Sequence, residues 1–414
     1  MKNSPLLAIA TTLAAVSLAT VTGCTYDVTD PPWDQPYTSP PTSTITQIQP
    51  SSAPAGVNTI LITGQNLRSV PDANGVFFGT VTAEVVQKSA TGITVRRPNL
   101  VVDSCTVMVV PDSALAPAKI RFGKIDQVVQ RIGSFNDDID LAALTLDDAG
   151  NVIVVSGLTP VAIWRVASDG SKTPLATSGL AIRPPFDAAF RNGVLYLEGN
   201  NREIQQVNMT TGVASRWTQL PQGRIVKVGT FDANGYYYAG GAAGVDLCII
   251  PPNPPATLTL AQIKLSGFYA AEEVLALRAS GRYLYVASRP NSATPVKIWR
   301  HLIDTAGTLG AQQAVLDLNA FPAFSSRLVK SISPSSDGLI YLTTDAANPL
   351  LVYSPSAGTL DYFYKNILPP YGKLAVWGNT NYLHMISGDA DNADTALRWN
   401  VVRVNLGTTG TPYP

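Results

Sequence analysis

Short hydrophobic runs alternate with polar turns over residues 141–410, and one arrangement of these runs returns six times. Each pass has an apolar strand, a turn, a second strand rich in aromatic residues and Val, a loop, a third strand and a second turn. The first turns contain Gly150, Gly193, Gly235, Gly281, Gly338 and Gly378. They recur roughly every 40 to 46 residues, with one interval of about 57, which is the period of a four-stranded propeller blade. The pattern predicts a six-bladed β-propeller.

The sixth repeat ends soon after its third strand, so the C-terminal end of the ring lacks a strand. Residues 124–132, KIDQVVQRI, have the composition of a strand that has no blade of its own. We expect this segment to fill the gap and to join the two ends of the chain by backbone hydrogen bonds. The propeller is therefore predicted over residues 124–414, closed by the strand at residues 124–132.

A second, smaller β pattern covers residues 44–122. Its strands are short, and loops rich in Pro, Gly and Ser separate them, which is typical of a β-sandwich. The predicted fold class is therefore all-β, with an immunoglobulin-like β-sandwich followed by a six-bladed β-propeller.

The smaller domain resembles the IPT/TIG family of immunoglobulin-like domains. The resemblance lies in PSSAPAG at residues 50–56, ITGQNL at 62–67, VFFG at 76–79 and ITV at 93–95. It implies a structural or binding module without catalytic residues. Arg96 and Arg97 lie where smaller or apolar residues are common in that family. They could mark a contact surface or a solvated edge, and we favour the solvated edge.

The larger domain is similar to NHL-type and related six-bladed propellers. The similarity lies in the blade length and in the Asp/Asn-Gly turn that precedes an aromatic or aliphatic strand. It brings no catalytic motif, and this fold serves both enzymes and binding proteins.

The amino terminus predicts export and lipid attachment. Lys2 precedes an apolar segment at residues 6–21, which favours a signal peptide over residues 1–23 rather than a spanning helix. The sequence VTGC at residues 21–24 resembles a bacterial lipobox, which implies that Cys24 carries the lipid; an ordinary signal peptide with an incidental Cys is the alternative. Thr25 follows instead of Asp, so we expect an anchor in the outer membrane, facing the periplasm or the cell surface.

Residues 24–43 contain five prolines and few aliphatic residues. Pro-rich segments favour extended polyproline II, so this segment is predicted to be a tether between the lipid and the first folded domain.

Composition excludes some functions. The chain has 414 residues, with 29 basic and 29 acidic side chains, so its zero net charge gives no electrostatic reason to expect nucleic acid as a partner. Only two histidines are present, which cannot form a His-rich zinc site. We expect His384 to be a packed strand residue, and Cys105 and Cys248 to be buried free thiols.

The loops between blades and after second strands lie on one face of the ring, opposite the tight Gly turns. These loops are longer and more polar, and a rigid scaffold usually binds ligands through such loops. The candidate ligand-binding residues on this face are Arg183, Asp187, Asn201, Arg202, Arg224, Tyr269, Glu272, Arg289, Asn291, Asp345 and Asp389.

The sequence predicts no catalytic residue, no metal site and no cofactor, with one alternative left open. Asp389, Asp391 and Asp394 could supply oxygen ligands to calcium, although their spacing departs from the EF-hand pattern. The preferred function is a cell-envelope lipoprotein that displays a propeller to bind a glycan, a peptide or an envelope protein. The alternative is a metal- or quinone-dependent enzyme of the gluconolactonase or sugar dehydrogenase kind.

Overall fold

The computed structural model describes residues 42–67, 70–72, 75–112, 116–135, 140–157, 159–180, 185–388 and 399–412. Over these ranges the chain is all-β: its strands form eight four-stranded sheets, and its helical elements are two short 3-10 turns, Leu260–Gln262 and Leu318–Ala320. None of the helices described has the length and apolar character needed to cross a membrane. The predicted signal peptide, lipid-bearing Cys24 and nearly all of the tether lie outside the described residues.

Two sheets form a sandwich in the first domain. One sheet has the strand order β1-β2-β6-β5 and the other β4-β3-β7-β8. The strands are β1 Thr44–Gln49, β2 Thr59–Gln65, β3 Val76–Phe78, β4 Val81–Thr82, β5 Val85–Lys88, β6 Gly92–Arg96, β7 Cys105–Val109 and β8 Ala118–Phe122. Alternate residues of β2, such as Ile60 and Ile62, are fully buried, because side chains along a strand point to opposite faces.

The other six sheets form the ring of the six-bladed propeller. Blade 1 contains β10 Leu141–Leu146, β11 Val152–Ser156, β12 Ile163–Val166 and β13 Lys172–Leu175; blade 2 contains β14 Asp187–Arg191, β15 Val194–Glu198, β16 Glu203–Asn208 and β17 Ala214–Gln219. Blade 3 contains β18 Val226–Phe231, β19 Tyr237–Gly241, β20 Cys248–Ile250 and β21 Lys264–Leu265; blade 4 contains β22 Glu273–Ser280, β23 Tyr283–Arg289, β24 Lys297–Leu302 and β25 Gln313–Asp317. Blade 5 contains β26 Val329–Pro334, β27 Ile340–Thr344, β28 Leu350–Ser354 and β29 Thr359–Tyr362.

Blade 6 is built from both ends of the domain. Its strands β30 Gly372–Trp377, β31 Tyr382–Ser387 and β32 Asn400–Asn405 are joined by β9 Val129–Ile132, which pairs antiparallel with β32. The sequence analysis expected a strand from residues 124–132 in this place. The strand in the structure is shorter, because Ile125 instead bridges Ala53 and Val102 and is buried in the sandwich core.

Each blade becomes more exposed from its inner to its outer strand. All six residues of β10 are buried, whereas those of β13 are half-buried or exposed. The inner strands are covered on both faces by neighbouring blades, so their sequences are nearly continuous apolar runs, and the few polar residues among them stand out.

The sandwich docks on blades 5 and 6 through buried polar contacts, which we call the joint. Arg96 donates two hydrogen bonds to the Asp361 carboxylate, at 3.0 and 2.8 Å. Asn58 donates to the carbonyl of Tyr362 at 2.8 Å, and Tyr364 Oη accepts a 2.6 Å bond from a sandwich backbone N–H. The preferred interpretation of Arg96 and Arg97 as a solvated edge was therefore wrong. Both are buried, because the propeller covers this edge of the sandwich.

The joint and the start of the sandwich lie at opposite ends of β2. Thr59, next to the joint, pairs with Arg96, whereas Gln65 pairs with Thr44, where β1 begins. A seven-residue strand is about 20 Å long. The sandwich thus separates the segment that precedes Thr44 from the propeller by about that length.

Candidate functional site

The first strands of all six blades begin at one end of the central channel, and a cavity of about 390 Å³ opens there. We call this cavity the mouth. It lies on the face of the between-blade loops, where the sequence analysis expected the site. It is lined by Asp140, Ala142, Gly157, Pro185, Phe186, Lys227, Val228, Glu273, Val274, Leu275, Arg289, Leu328, Val329, Lys330, Lys373 and Leu374.

A β-bulge near the start of the first strand occurs in five of the six blades. The residues at these irregularities are Ala142, Lys227, Leu275, Lys330 and Lys373. All five line the mouth. A bulge adds an unpaired residue to a strand and can redirect its side chain, and bulges are common beside functional sites. Here the bulges bring three lysines from three different blades to one cavity.

Most charges at the mouth are paired with one another. Glu273 forms an ion pair of 3.1 Å with Arg289 and a longer one of 3.8 Å with Lys227. Asp140 forms an ion pair of 3.0 Å with Lys373. These side chains are partly exposed, so each pair contributes little to stability and can exchange partners with an entering ligand.

Lys330 differs from its neighbours because it forms no hydrogen bond or ion pair with any residue in the described ranges. Burial lowers the pKa of its ammonium group, Asp345 opposes that change, and the cations of Arg289 and Lys373 add to it. Its side chain lines the mouth, a smaller cavity deeper in the channel and a pocket at the side. An acidic group of a ligand placed here could form an ion pair with Lys330.

Aromatic side chains flank the charged cluster. Phe186 is 53% exposed at the mouth. Tyr371 and Trp399 line the side pocket of about 330 Å³ together with Lys330, Asp345 and Lys373. Exposed aromatic rings next to charged side chains are typical of a site that binds an amphipathic ligand. The rings contact the apolar faces of the ligand, and the charges orient its polar groups.

The opposite end of the channel is crossed by the C-terminal segment. Arg278, in the channel wall, donates to the carbonyl oxygens of Trp377 at 3.0 Å, Thr411 at 3.3 Å and Pro412 at 3.5 Å. Gly410 also bridges to Ser335 in blade 5. The C-terminal segment thus covers part of this end, beside which lies a second cavity of about 400 Å³.

Two carboxyl groups lie in the channel wall of blade 2, below the mouth, and we call them the acid pair. Asp187 and Glu198 are directly opposite each other on β14 and β15, and both are buried. Burial raises the pKa of Asp187 to about 7. Hydrogen bonds from the backbone N–H groups of Gly229 and Ala188 act in the opposite direction and lower this pKa. Burial and the neighbouring Asp187 raise the pKa of Glu198 well above its usual range.

The structure brings some of the predicted site residues to the channel. Arg289 lines the mouth, Asp345 lines the side pocket, and Asp187 lines the deeper cavity. Tyr269 is fully buried instead, and its hydroxyl lies 2.7 Å from Nε2 of His301. Glu272, which directly precedes β22, accepts a hydrogen bond from Ser288 in the neighbouring strand β23, and this bond holds its side chain within blade 4.

Other predicted residues stabilise loops on this face or lie outside the described ranges. The side-chain oxygens of Asn201 and Asn291 accept backbone N–H bonds within their own turns, at 2.7 and 2.9 Å. Arg202 and Arg224 are not among the residues that line the mouth. Arg183 and Asp389 lie outside the residues that the structure describes.

Sequence reasoning left Lys227 and Lys330 out of the candidates. The pattern that could have revealed them is a lysine at the second position of the first strand, which recurs in Val226-Lys227, Val329-Lys330 and Gly372-Lys373. A regular strand would send that position into the packed space between blades. The bulges that direct it to the mouth leave no mark in the hydrophobic pattern.

The two histidines and the two described cysteines are packed or hydrogen-bonded within the β-sheets. His384 is buried in β31 and its pKa is lowered to about 4 by burial, with a smaller effect from Arg403. Cys105 and Cys248 are free thiols, of which only Cys248 is buried. Within the described part of the chain, no group of three or more His, Cys, Asp or Glu side chains is arranged to hold a metal ion.

Comparison with known proteins identifies the first domain and supports the fold of the second. Residues 43–122 match the family model of the IPT/TIG domain. A luciferin-regenerating enzyme superposes with a TM-score of 0.50 at 12% identity, over 69% of this chain and 98% of that one. A regucalcin from Agrobacterium tumefaciens, described as calcium-binding, gives a TM-score of 0.49 at 12% identity, over 69% and 95%.

An auxiliary nutrient binding protein from Bacteroides ovatus covers more of the chain. Its TM-score is 0.48 at 13% identity, over 88% of this chain and 98% of that one. No curated protein sequence matches the chain significantly. At 12% identity, the similarity to the luciferin-regenerating enzyme shows a shared fold and carries no information about a ligand.

Proposed function

We propose that this protein is a cell-envelope lipoprotein whose propeller binds a polar ligand, such as a glycan or a peptide, or an envelope protein, at the mouth of its channel. The observation that carries the proposal is the convergence of bulged lysines, paired carboxylates and an exposed aromatic ring on one cavity of about 390 Å³. That volume is within the range of about 300–1,000 Å³ typical of ligand pockets.

The mixed charge of the mouth favours a ligand with both polar and apolar parts. Lys330 is available to an acidic group, while Arg289 and Glu273 offer a donor and an acceptor in fixed positions. Phe186 adds an apolar surface at the rim. A sugar ring with an acidic substituent, or a short acidic peptide with an apolar side chain, has groups that match Lys330, the Arg289–Glu273 pair and Phe186.

The rest of the chain suits display of this mouth away from a membrane. A lipid on Cys24 and the Pro-rich tether would precede Thr44, which lies at the end of the sandwich farthest from the joint. The polar contacts of the joint hold the sandwich against the propeller. In this proposal the sandwich acts as a spacer of about 20 Å.

Binding is tested with the chain carrying Cys24→Ser, probed with a panel of acidic oligosaccharides, acidic peptides and detergent-solubilised envelope extract. We expect Lys330→Ala and Phe186→Ala each to weaken binding of a captured ligand by at least about tenfold, because each removes a contact worth about 1.4 kcal/mol or more. Asp148→Ala is the matched control, since Asp148 lines a cavity at the opposite end of the channel. Equal affinity in all three variants would place binding elsewhere and refute the proposal.

Lipid attachment needs a separate test. Metabolic labelling with a palmitate analogue is expected to label the wild-type chain in the membrane fraction and to be lost in Cys24→Ser. Labelling that persists in the variant would contradict the assignment of Cys24.

A further inference from the structure

The acid pair is unusual in its lack of partners. Glu198 is 0% exposed, and no other residue among those described donates a hydrogen bond to its carboxylate oxygens. Buried polar groups nearly always have partners, and each exception needs a reason. Asp246 in the next blade shows the usual arrangement, because its carboxylate accepts bonds from Leu247, Ser266, Gly267 and Tyr269.

A second unpartnered group points to the same place from blade 3. Tyr237 is 0% exposed, and its hydroxyl has no hydrogen-bond partner in the part of the chain that the structure describes. A β-carbon placed on Gly229 would lie 2.1 Å from that hydroxyl and 2.5 Å from Oε1 of Glu198. The two oxygens therefore lie close together against Gly229, where any residue with a side chain would clash with both.

The spacing of these oxygens suits a cation. They lie less than about 5 Å apart without a direct hydrogen bond, and calcium spans such a gap with oxygen distances of about 2.4 Å. Asp187 stands opposite Glu198 and adds a second carboxylate, each of whose oxygens accepts one backbone N–H, from Ala188 and Gly229, and keeps a free lone pair.

A proton satisfies this cluster less completely than a cation does. One proton on Glu198 serves one of its two oxygens, whereas a divalent cation contacts several oxygens together and balances both carboxylates. No basic side chain is among the groups that shift the pKa of Asp187 or Glu198. Oxygen-only ligands of this kind select hard cations such as calcium.

The cluster is also within reach of the channel. Asp187 and Gly229 line the deeper cavity of about 30 Å³, which is the volume of about one water molecule. Val228 and Lys330 line both that cavity and the mouth, so the two spaces adjoin.

We propose that Glu198, Asp187 and Tyr237 form a site for a hard divalent cation, calcium being the best match, which links blade 2 to blade 3 beneath the mouth. This inference does not depend on the identity of the ligand at the mouth. It is also separate from the segment at residues 389–394, which the sequence analysis considered for calcium.

The test is a calcium titration of the full chain carrying Cys24→Ser, freed of metal with EDTA and then of EDTA, at pH 7.5. A cation that binds only the folded state raises the melting temperature in a saturable way. We expect a rise of about 3 °C or more at millimolar calcium, and calorimetry should show one site per chain. Glu198→Gln should abolish the rise, and Asp187→Asn provides a second variant if the first does not fold.

Asp246→Asn is the control, because it removes a buried carboxylate that is already fully hydrogen-bonded. It should lower the melting temperature yet keep the calcium-dependent rise. Absence of a saturable rise with calcium, magnesium or manganese would overturn the proposal and leave the acid pair as a protonated pair. A rise that persists in Glu198→Gln would overturn it as well, since the cation would then bind elsewhere.

Discussion

The joint and the acid pair are both buried polar clusters, but they differ in how their groups are partnered. At the joint, Arg96 has a two-point bond to Asp361, and Tyr364 Oη both accepts and donates a hydrogen bond. At the acid pair, two acidic groups face each other, and within the described ranges no other residue donates a hydrogen bond to the oxygens of Glu198.

This difference separates a structural cluster from a candidate binding site. At the joint most groups are partnered within the two domains, Nε of Arg96 being an exception; such a cluster fixes the geometry of two domains, so removing a member should destabilise it. An unpartnered cluster is costly by itself and becomes favourable only when a proton or a cation completes it. Substitutions in the two regions should therefore change stability in opposite directions.

The largest expected effect comes from Asp361→Ala at the joint. This change leaves the guanidinium of the buried Arg96 without its two-point partner, and Glu84 at 3.5 Å compensates only in part. The side chain of Asp361 is itself 42% exposed, so we expect the loss of its bonds to the charged donor to cost about 2–3 kcal/mol. Urea unfolding should show this loss, together with separate transitions for the sandwich and the propeller.

Asp72→Ala is the matched control for the joint. Asp72 forms an exposed ion pair with Lys88 in the sandwich, the domain that also contains Arg96. We expect it to change the free energy of unfolding much less than Asp361→Ala does. Equal losses in the two variants would mean that the joint contributes no more than a surface ion pair.

The joint also shows what the sequence could and could not predict. The blade count and the sandwich followed from turn spacing and strand alternation, because these patterns are local. The partner of Arg96 is 265 residues away, so no local pattern distinguishes a docked arginine from a solvated one. Lys227 and Lys330 were missed for a related reason: a bulge changes the direction of one side chain without changing the composition of the strand.

Asp187 illustrates the other limit of the sequence. It was selected as a polar residue beside a loop, and the structure places it in the channel wall. Glu198 was not among the predicted site residues. Only the register of β14 and β15 brings the two together.

The next largest expected effect is a gain in the free energy of unfolding, not a loss. In the presence of EDTA, Glu198→Gln should raise the free energy of unfolding by about 1–2 kcal/mol at pH 8, because the neutral amide needs neither a proton nor a cation. The folded-state pKa values of Asp187 and Glu198 are raised, so the folded state of the wild type binds more protons than the unfolded state. The stability from this source is present at about pH 4 and is lost as the pH rises through the raised folded-state pKa values, of which that of Asp187 is about 7.

Chemical denaturation of wild type and variant between pH 4 and 8 measures this difference. The advantage of Glu198→Gln should be smallest at pH 4 and should grow with pH. Glu203→Gln is the control, since Glu203 is half-exposed and paired with Arg216 at 3.0 Å. A difference that does not depend on pH would argue against a titrating acid pair.

The smallest effect compares two buried tyrosine hydroxyls, one in each region. Tyr364→Phe removes a hydroxyl that accepts from Gly56 at 2.6 Å and donates to Asn405 at 2.9 Å, so it leaves two backbone groups unpaired and should cost about 1–2 kcal/mol. Tyr237→Phe removes a hydroxyl without a partner and should change stability in EDTA by less than about 0.5 kcal/mol. Thermal and urea unfolding of both variants give the comparison directly. Equal losses of unfolding free energy in the two variants would show that the Tyr237 hydroxyl has a hydrogen-bond partner. The acid pair would then not differ from the joint in how its groups are partnered.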